Sequence, residues 1–200
     1  MKLPEKIVFA TNNAHKLKEV REIIGDRCEI LSLSDIDCHD DIPETASTLE
    51  GNALIKARWV KEKYGFDCFA DDTGLEVDAL GGEPGVMSAR YAAAYGESAD
   101  HDSKANMRLL LKKLEGVSDR SARFRTVIAM LTGGEELCFE GKVEGCITTV
   151  AGGSDGFGYD PVFRPLESDL TFAEMSAAQK NSLSHRRRAL DAMTAFFDEE

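Results

Sequence analysis

The alternation of apolar and polar positions divides the chain into a succession of short elements. Lys6 to Thr11 (KIVFAT) is an apolar run closing on Thr-Asn-Asn, and beyond it Leu17, Val20, Ile23 and Ile24 recur at helical spacing until Gly25. That pattern predicts strand, loop, helix. A second strand around Glu29 to Leu33 precedes a polar, acidic loop (SDIDCHDDIPETAST), and a helix follows from about Leu49 to Lys63, stopped by Gly65. Cys68 to Ala70 reads as a buried strand running into Asp71-Asp72-Thr73-Gly74. GLEVDALGGEPG is turn-rich, and Ala99 to Leu114 is an amphipathic helix ending at Gly116. ARFRTVIAML and ELCFEGKVEGCITTV pair as long antiparallel strands through Thr132-Gly133-Gly134. A Gly-rich loop, GGSDGFGYDP, follows, and a helix through Arg186 to Phe197 closes the pattern. Helices early, a β-meander late and a terminal helix indicate an α/β fold with a mixed sheet. With no repeat and no low-complexity linker, residues 1–200 are read as a single domain.

Composition narrows the class. At 42% hydrophobic and 30% charged the chain is ordinary globular material. Its 36 Asp and Glu against 24 Lys and Arg argue against broad contact with nucleic acid or an anionic membrane, both of which need a basic surface. Any anionic ligand must therefore meet locally placed cations. Cys28, Cys38, Cys68, Cys138 and Cys146 are scattered, odd in number and without a CxxC pair, so reduced thiols are expected rather than a disulfide framework or a zinc site. MKLPEKIVFATNN has no long apolar run, so neither a signal peptide nor a membrane span is expected, and a cytoplasmic, soluble protein follows.

Four stretches carry candidate chemistry. Thr11-Asn12-Asn13-Ala14-His15-Lys16 lies at the carboxyl end of a strand and the start of a helix, where free N–H groups and the helix dipole attract anions. His15 and Lys16 are cations on the positive end of that dipole, a placement a phosphate between them would explain; two solvated basic side chains are the plainer explanation. The stretch is neither a P-loop nor a GxGxxG fingerprint. His185-Arg186-Arg187-Arg188, behind a capping Ser184 and with Lys180 upstream, crowds the opening of the terminal helix. In so acidic a chain this run is a polyanion-site candidate as well as a solvated basic face. In Asp155-Gly156-Phe157-Gly158-Tyr159-Asp160-Pro161 glycines alternate with aromatics, so a ring could stack on a flat ligand and Asp160 read its edge, or Phe and Tyr could pack into the core around a tight turn.

Asp71 and Asp72 admit three readings. They could serve a hard divalent cation, with Glu44 as partner, since magnesium typically takes only one or two protein carboxylates. Asp72-Thr73-Gly74 also spells the D-T-G of an aspartic protease, although that mechanism needs two such carboxylates and the chain holds no second D-[ST]-G. A plain Asp-containing turn is the third.

Taken in order, strand-TNNxxK-x-x-E, an acidic loop with Glu44, Lys56 on the next helix, ADDTGL, GGEPGxxSARY, FGYDPVF and K-N-x-x-S-H-R resemble the inosine triphosphate pyrophosphatase family, from Ile7 to Leu190. The resemblance implies a mixed, curved central sheet flanked by helices in two lobes with an active-site cleft between them, commonly in a homodimer. It also implies Mg²⁺-dependent hydrolysis of noncanonical purine nucleoside triphosphates (ITP, dITP, XTP) to the monophosphate and pyrophosphate. By position, Thr11, Asn12, Asn13, Ala14, His15 and Lys16 would hold phosphates, Lys56 would add a cation and Thr73 would contact substrate. Asp72 matches the family's catalytic, metal-associated aspartate, with Glu44 a second metal ligand. Phe157, Gly158, Tyr159, Asp160, Lys180, His185 and Arg186 would bind the nucleotide, base included. A same-fold pyrophosphatase of different base preference and a non-catalytic nucleotide-binding module remain as alternatives. One departure stands out: where the family reads T-F-x-E-N-A, this chain has Thr48-Leu49-Glu50-Gly51-Asn52-Ala53. The glutamate is displaced by one residue, about 100° around a helix, and that position is not carried over as functional.

Overall fold

In strand β1 (Lys6–Phe9) and the residue after it, successive side chains leave for opposite faces, as a strand requires. Ile7 and Phe9 enter one apolar cluster with Phe69, Ile128 and Met130, whereas Val8 and Ala10 enter another with Cys68, Ala70, Ala129 and Leu131. Both faces are covered, so these central strands read as continuous apolar runs rather than alternating ones. Helix α1 (Ala14–Ile24) and helix α6 (His185–Asp198) supply Val20, Ile24, Ala189, Leu190 and Met193 to the first face. Helix α2 (Leu49–Tyr64) supplies Ala53, Ala57 and Val60 to the second.

The structure, a computed structural model, describes residues 2–198. The chain divides into two compact units. The first comprises residues 1–72, 126–141 and 186–200, and the second residues 73–125 and 142–185. Strands β3 (Cys68–Val77), β5 (Ser121–Thr132) and β6 (Glu135–Ile147) contribute residues to both. With β2 (Glu29–Leu31), β4 (Pro84–Gly85) and β7 (Phe163–Pro165) they form a seven-stranded sheet in the order β2-β1-β3-β5-β6-β7, with β4 paired to β3. It is mixed: β1 runs parallel to β2 and β3, while β3–β4 and β6–β7 are antiparallel. Gly133 and Gly134, with φ of 58° and 85°, make the turn between β5 and β6. The fold is thus α/β with a curled mixed sheet flanked by helices.

The second unit has its own core, in which Leu75, Val77, Leu109, Leu110, Phe124, Phe163 and Phe172 pack together. Helix α4 (Ser103–Lys113) starts later than Ala99 because Asp102 caps it, accepting from the Ala105 amide at 2.9 Å. The short helix α3 (Tyr91–Ala94) is tied to it by Asn106, whose Oδ1 accepts from the Ala92 amide at 2.7 Å. Helix α5 (Ala177–Leu183), closed at its start by a capping box of Ser176 and Gln179, was not expected from the apolar pattern. Ser184 lies at its C-terminal cap and immediately precedes α6. Among the described residues no helix is long and apolar enough to cross a membrane. All five cysteines are free thiols.

Candidate active site

The Asp71-Asp72 pair is neither at a strand end nor in a turn: it lies inside β3, which continues to Val77. Strand alternation therefore sends the two carboxylates to opposite faces. Asp71 points to the α1 and α6 side, where Lys16 Nζ donates to its Oδ1 at 2.9 Å and Arg186 Nε to its Oδ2 at 3.0 Å. Arg186 also bonds Glu19 through Nη1. Asp72 points to the α2 side, where Asn52 Nδ2 donates to its Oδ2 at 3.1 Å and Lys56 Nζ lies 3.9 Å from its Oδ1. The same Lys56 ammonium reaches Glu44 Oε1 at 2.5 Å and the Asp71 carbonyl at 2.7 Å.

Burial and charge tune the two aspartates in opposite senses. Burial by itself would raise both. At Asp71 the attraction of Lys16, Arg186 and Lys56 overcomes it and holds the carboxyl well below the usual carboxylate range. At Asp72 burial wins over Lys56 and Lys16, helped by repulsion from Glu44, and the carboxyl sits above its ordinary value. Burial lowers the Lys16 ammonium despite Asp71. For Lys56 burial is outweighed by Asp72, Glu44 and Asp71, so its ammonium is held above the ordinary value.

The cations expected to wait for phosphate are thus engaged. Lys16, Lys56 and Arg186 face Asp71, Asp72, Glu44 and Glu19, three positive groups against four negative when all are ionised. This cluster is not a basic patch, and a polyanion would need a further cation to enter it. The donor set fits a hard divalent ion. Two carboxylates already converge on one ammonium, and among the described residues no three His, Cys, Asp or Glu side chains form an all-protein cage. That is the donor set magnesium uses when water and phosphate complete its shell.

The helix-start loop also differs from expectation. Its amides are largely satisfied internally: Thr11 Oγ1 accepts from the Asn13 amide at 3.1 Å, and Asn13 Oδ1 from the amides of His15 and Lys16 at 3.0 and 3.1 Å. Asn12, Ala14 and His15 are exposed, and Lys16 turns inward to Asp71. Arg186, expected to face the nucleotide, is instead 1% exposed beneath Asp71. Arg187 pairs with Asp191 one helical turn on.

The second unit gathers the remaining residues. Asp160 Oδ2 accepts from the Phe157 amide and from Lys180 Nζ, both at 2.8 Å. Gly156 makes this possible, because at φ 75° a Cβ there would stand 2.2 Å from Asp160 Oδ2. Lys180, on α5 rather than at a helix start, lies 4.6 Å over the Phe157 ring. Asp160 is therefore used inside the protein, holding Lys180 and the Phe157 backbone in place. Tyr159, read as a possible stacking ring, is core: its hydroxyl donates to the Ser88 carbonyl at 2.8 Å, and burial raises its pKa strongly. His185 stacks on Phe124 at 4.7 Å and is buried. Thr73 is half-buried in β3.

Asn52 escaped the reading of the sequence. Its only signal was the polar residue in the T-L-E-G-N-A stretch at a helix start, yet it is fully buried and bonds Asp72.

A mixed sheet flanked by helices defines an α/β protein, and with Asp72-Thr73-Gly74 inside β3 and no second D-[ST]-G in the chain, the paired turns of an aspartic protease find no counterpart. The chain belongs to the Ham1 family, whose family model matches residues 7–196. It is 52% identical to the dITP/XTP pyrophosphatase of Flavobacterium johnsoniae over 95% of this chain and 98% of that one. With the dITP/XTP pyrophosphatase of Porphyromonas gingivalis the identity is 53%, covering 96% and 97%. The solved structure of the Staphylococcus aureus Ham1 protein superposes with a TM-score of 0.85 at 39% identity, covering 97% of this chain and 98% of that one.

Proposed function

We propose that this chain, acting over residues 1–200 as one pyrophosphatase domain, hydrolyses ITP, dITP and XTP to the nucleoside monophosphate and pyrophosphate, with Mg²⁺ as cofactor. The observation that carries the reading is the opposite partnering of Asp71 and Asp72, one neutralised by Lys16 and Arg186, the other buried, raised in pKa and facing Glu44 across Lys56. Identity above 50% to named dITP/XTP pyrophosphatases supports the same substrates.

Glu44 and Asp72 are the residues that would hold Mg²⁺, which supplies charge neutralisation on the triphosphate. Asp72 keeps Oδ2 on Asn52, which leaves Oδ1 for the metal side, and Asp72 would take the proton of the attacking water through an intervening water. A carboxylate made more basic by burial suits that task. Lys56 and Lys16 stabilise negative charge gathering on the phosphates as the α–β bond breaks. Thr11, Asn12, Asn13, Ala14, His15 and Thr73 are assigned to the phosphate and sugar side, and Phe157, Gly158, Lys180 and His185 to the base. Asp160, Tyr159 and Arg186 act from behind them.

We read the protein further as a cytoplasmic homodimer, a reading its free cysteines support for the compartment. Light scattering on purified protein tests the dimer. The decisive assay offers ITP, XTP, dITP and ATP with and without Mg²⁺ and identifies the products. IMP with pyrophosphate, Mg²⁺ dependence and slow ATP turnover are expected. Orthophosphate release, or equal ITP and ATP rates, would overturn the assignment.

A further inference from the structure

We propose that Asn52 is a positioning residue that clamps Asp72 to the loop carrying Glu44, and so sets the separation of the two carboxylates assigned to the divalent cation. The inference rests on the pyrophosphatase reading for its metal. It goes beyond that reading by giving a role to a residue in the one stretch where the family pattern is broken.

Asn52 sits in the opening turns of α2 with no exposed surface. One end of its carboxamide donates to Asp72 Oδ2 at 3.1 Å, and the other accepts from the Ala46 amide at 2.9 Å. Ala46 lies two residues after Glu44. A backbone amide can only donate and an ionised carboxylate can only accept, so the bridge needs an acceptor at one end and a donor at the other. A carboxamide meets both demands. Aspartate would set carboxylate against carboxylate, and leucine would leave both ends without a partner.

Gly51 belongs to the same device. A Cβ at residue 51 would stand 2.5 Å from Ala46 Cβ and 3.1 Å from Thr48 Oγ1. Glycine therefore permits the approach that brings the Ala46 amide onto Asn52, which accounts for the loss of a side chain where the family carries glutamate. With Oδ2 of Asp72 taken by Asn52, Oδ1 faces Lys56 at 3.9 Å, and Lys56 reaches Glu44 at 2.5 Å. Both carboxylates thereby converge on the one Lys56 ammonium.

The test compares wild type, Asn52→Ser, Gly51→Ala and the double variant Gly51→Ala with Ala46→Gly. Each is followed by Mn²⁺ affinity without nucleotide, by the Mg²⁺ concentration giving half-maximal ITP turnover, and by thermal midpoint. Asn52→Ser is expected to weaken Mn²⁺ binding about 10-fold or more, the usual effect of losing a residue that orients metal ligands. Its half-maximal Mg²⁺ should rise in parallel, with KM for ITP at saturating Mg²⁺ little changed. Gly51→Ala should move the same way with Asn52 intact, and Ala46→Gly should restore Mn²⁺ affinity by removing the colliding methyl, the thermal midpoint of each variant separating a change in affinity from a loss of stability. A folded Asn52→Ser protein with unchanged Mn²⁺ affinity would overturn the inference, as would a double variant no better than Gly51→Ala. Should Asn52→Ser fail to fold, the Gly51 pair decides alone by the same criterion. A wild type that turns over no ITP overturns the functional reading and the inference with it, whereas active wild type beside unaffected variants overturns the inference alone.

Discussion

Arg186 and Asp71, 115 residues apart in the sequence, meet Nε to Oδ2 at 3.0 Å with both side chains 1% exposed. Lys16 completes the arrangement from the other side of the carboxylate. Asp72, one residue along the same strand, points to the other face and bonds Asn52. The two neighbours therefore differ in what their removal should do.

Replacing Asp71 with Asn removes the buried charge that Lys16 and Arg186 share, leaving Arg186 with Glu19 as its counter-charge. Breaking a buried pair from one side costs about 3–5 kcal/mol, and urea denaturation of Asp71→Asn should show a loss of that order. The pH dependence has a fixed sign. Because the folded carboxyl titrates below its unfolded value of about 3.9, its stabilisation is complete above that pH and is lost as pH falls through the depressed folded value. Wild type should lose this contribution in acid, while Asp71→Asn should show a flatter acid limb.

Asp72→Asn should separate activity from stability. The folded carboxyl titrates above its unfolded value, so ionisation costs stability progressively as pH rises from the ordinary carboxylate range through the raised folded value. Asn removes that cost and keeps an acceptor for Asn52. Above neutrality its thermal midpoint should equal or exceed that of wild type, while ITP turnover falls by about 10²- to 10⁴-fold, the range for loss of a general base. A destabilised variant that keeps its turnover would contradict the assignment.

In the second unit, Asp160→Asn should release Lys180 from its place over Phe157. KM for ITP is expected to rise about 10-fold, equivalent to 1.4 kcal/mol, with kcat affected less and the preference for ITP over ATP reduced. Steady-state kinetics on both nucleotides check this. A variant with unchanged KM and unchanged preference would remove Lys180 from the base-binding assignment.

Much of the fold was legible because local rules set it. The 3.6-residue spacing before Gly25 marked α1, the stop at Gly65 marked the end of α2, the Gly133-Gly134 turn marked the β5–β6 hairpin, and unbroken apolar runs marked the central strands. Helix α5 was not legible, since AAQKNSL is short and mostly polar and shows no apolar period. The Asp-Asp motif pointed to the right place but suggested a strand end, because two adjacent carboxylates carry poor strand propensity by themselves. Only their buried partners allow β3 to run through them.

By itself, then, the sequence determined the element types, the family pattern and the residue kinds available for chemistry: carboxylates in the middle of the chain, lysines and arginines scattered around them. Tertiary structure alone decided which cation meets which carboxylate. Strand alternation turns Asp71 toward α1 and α6 and Asp72 toward α2, and packing delivers Lys16, Lys56, Arg186 and Asn52 from distant points to those faces. Charge pairing at close range depends on ångströms of separation and on burial, and neither is encoded in spacing along the chain.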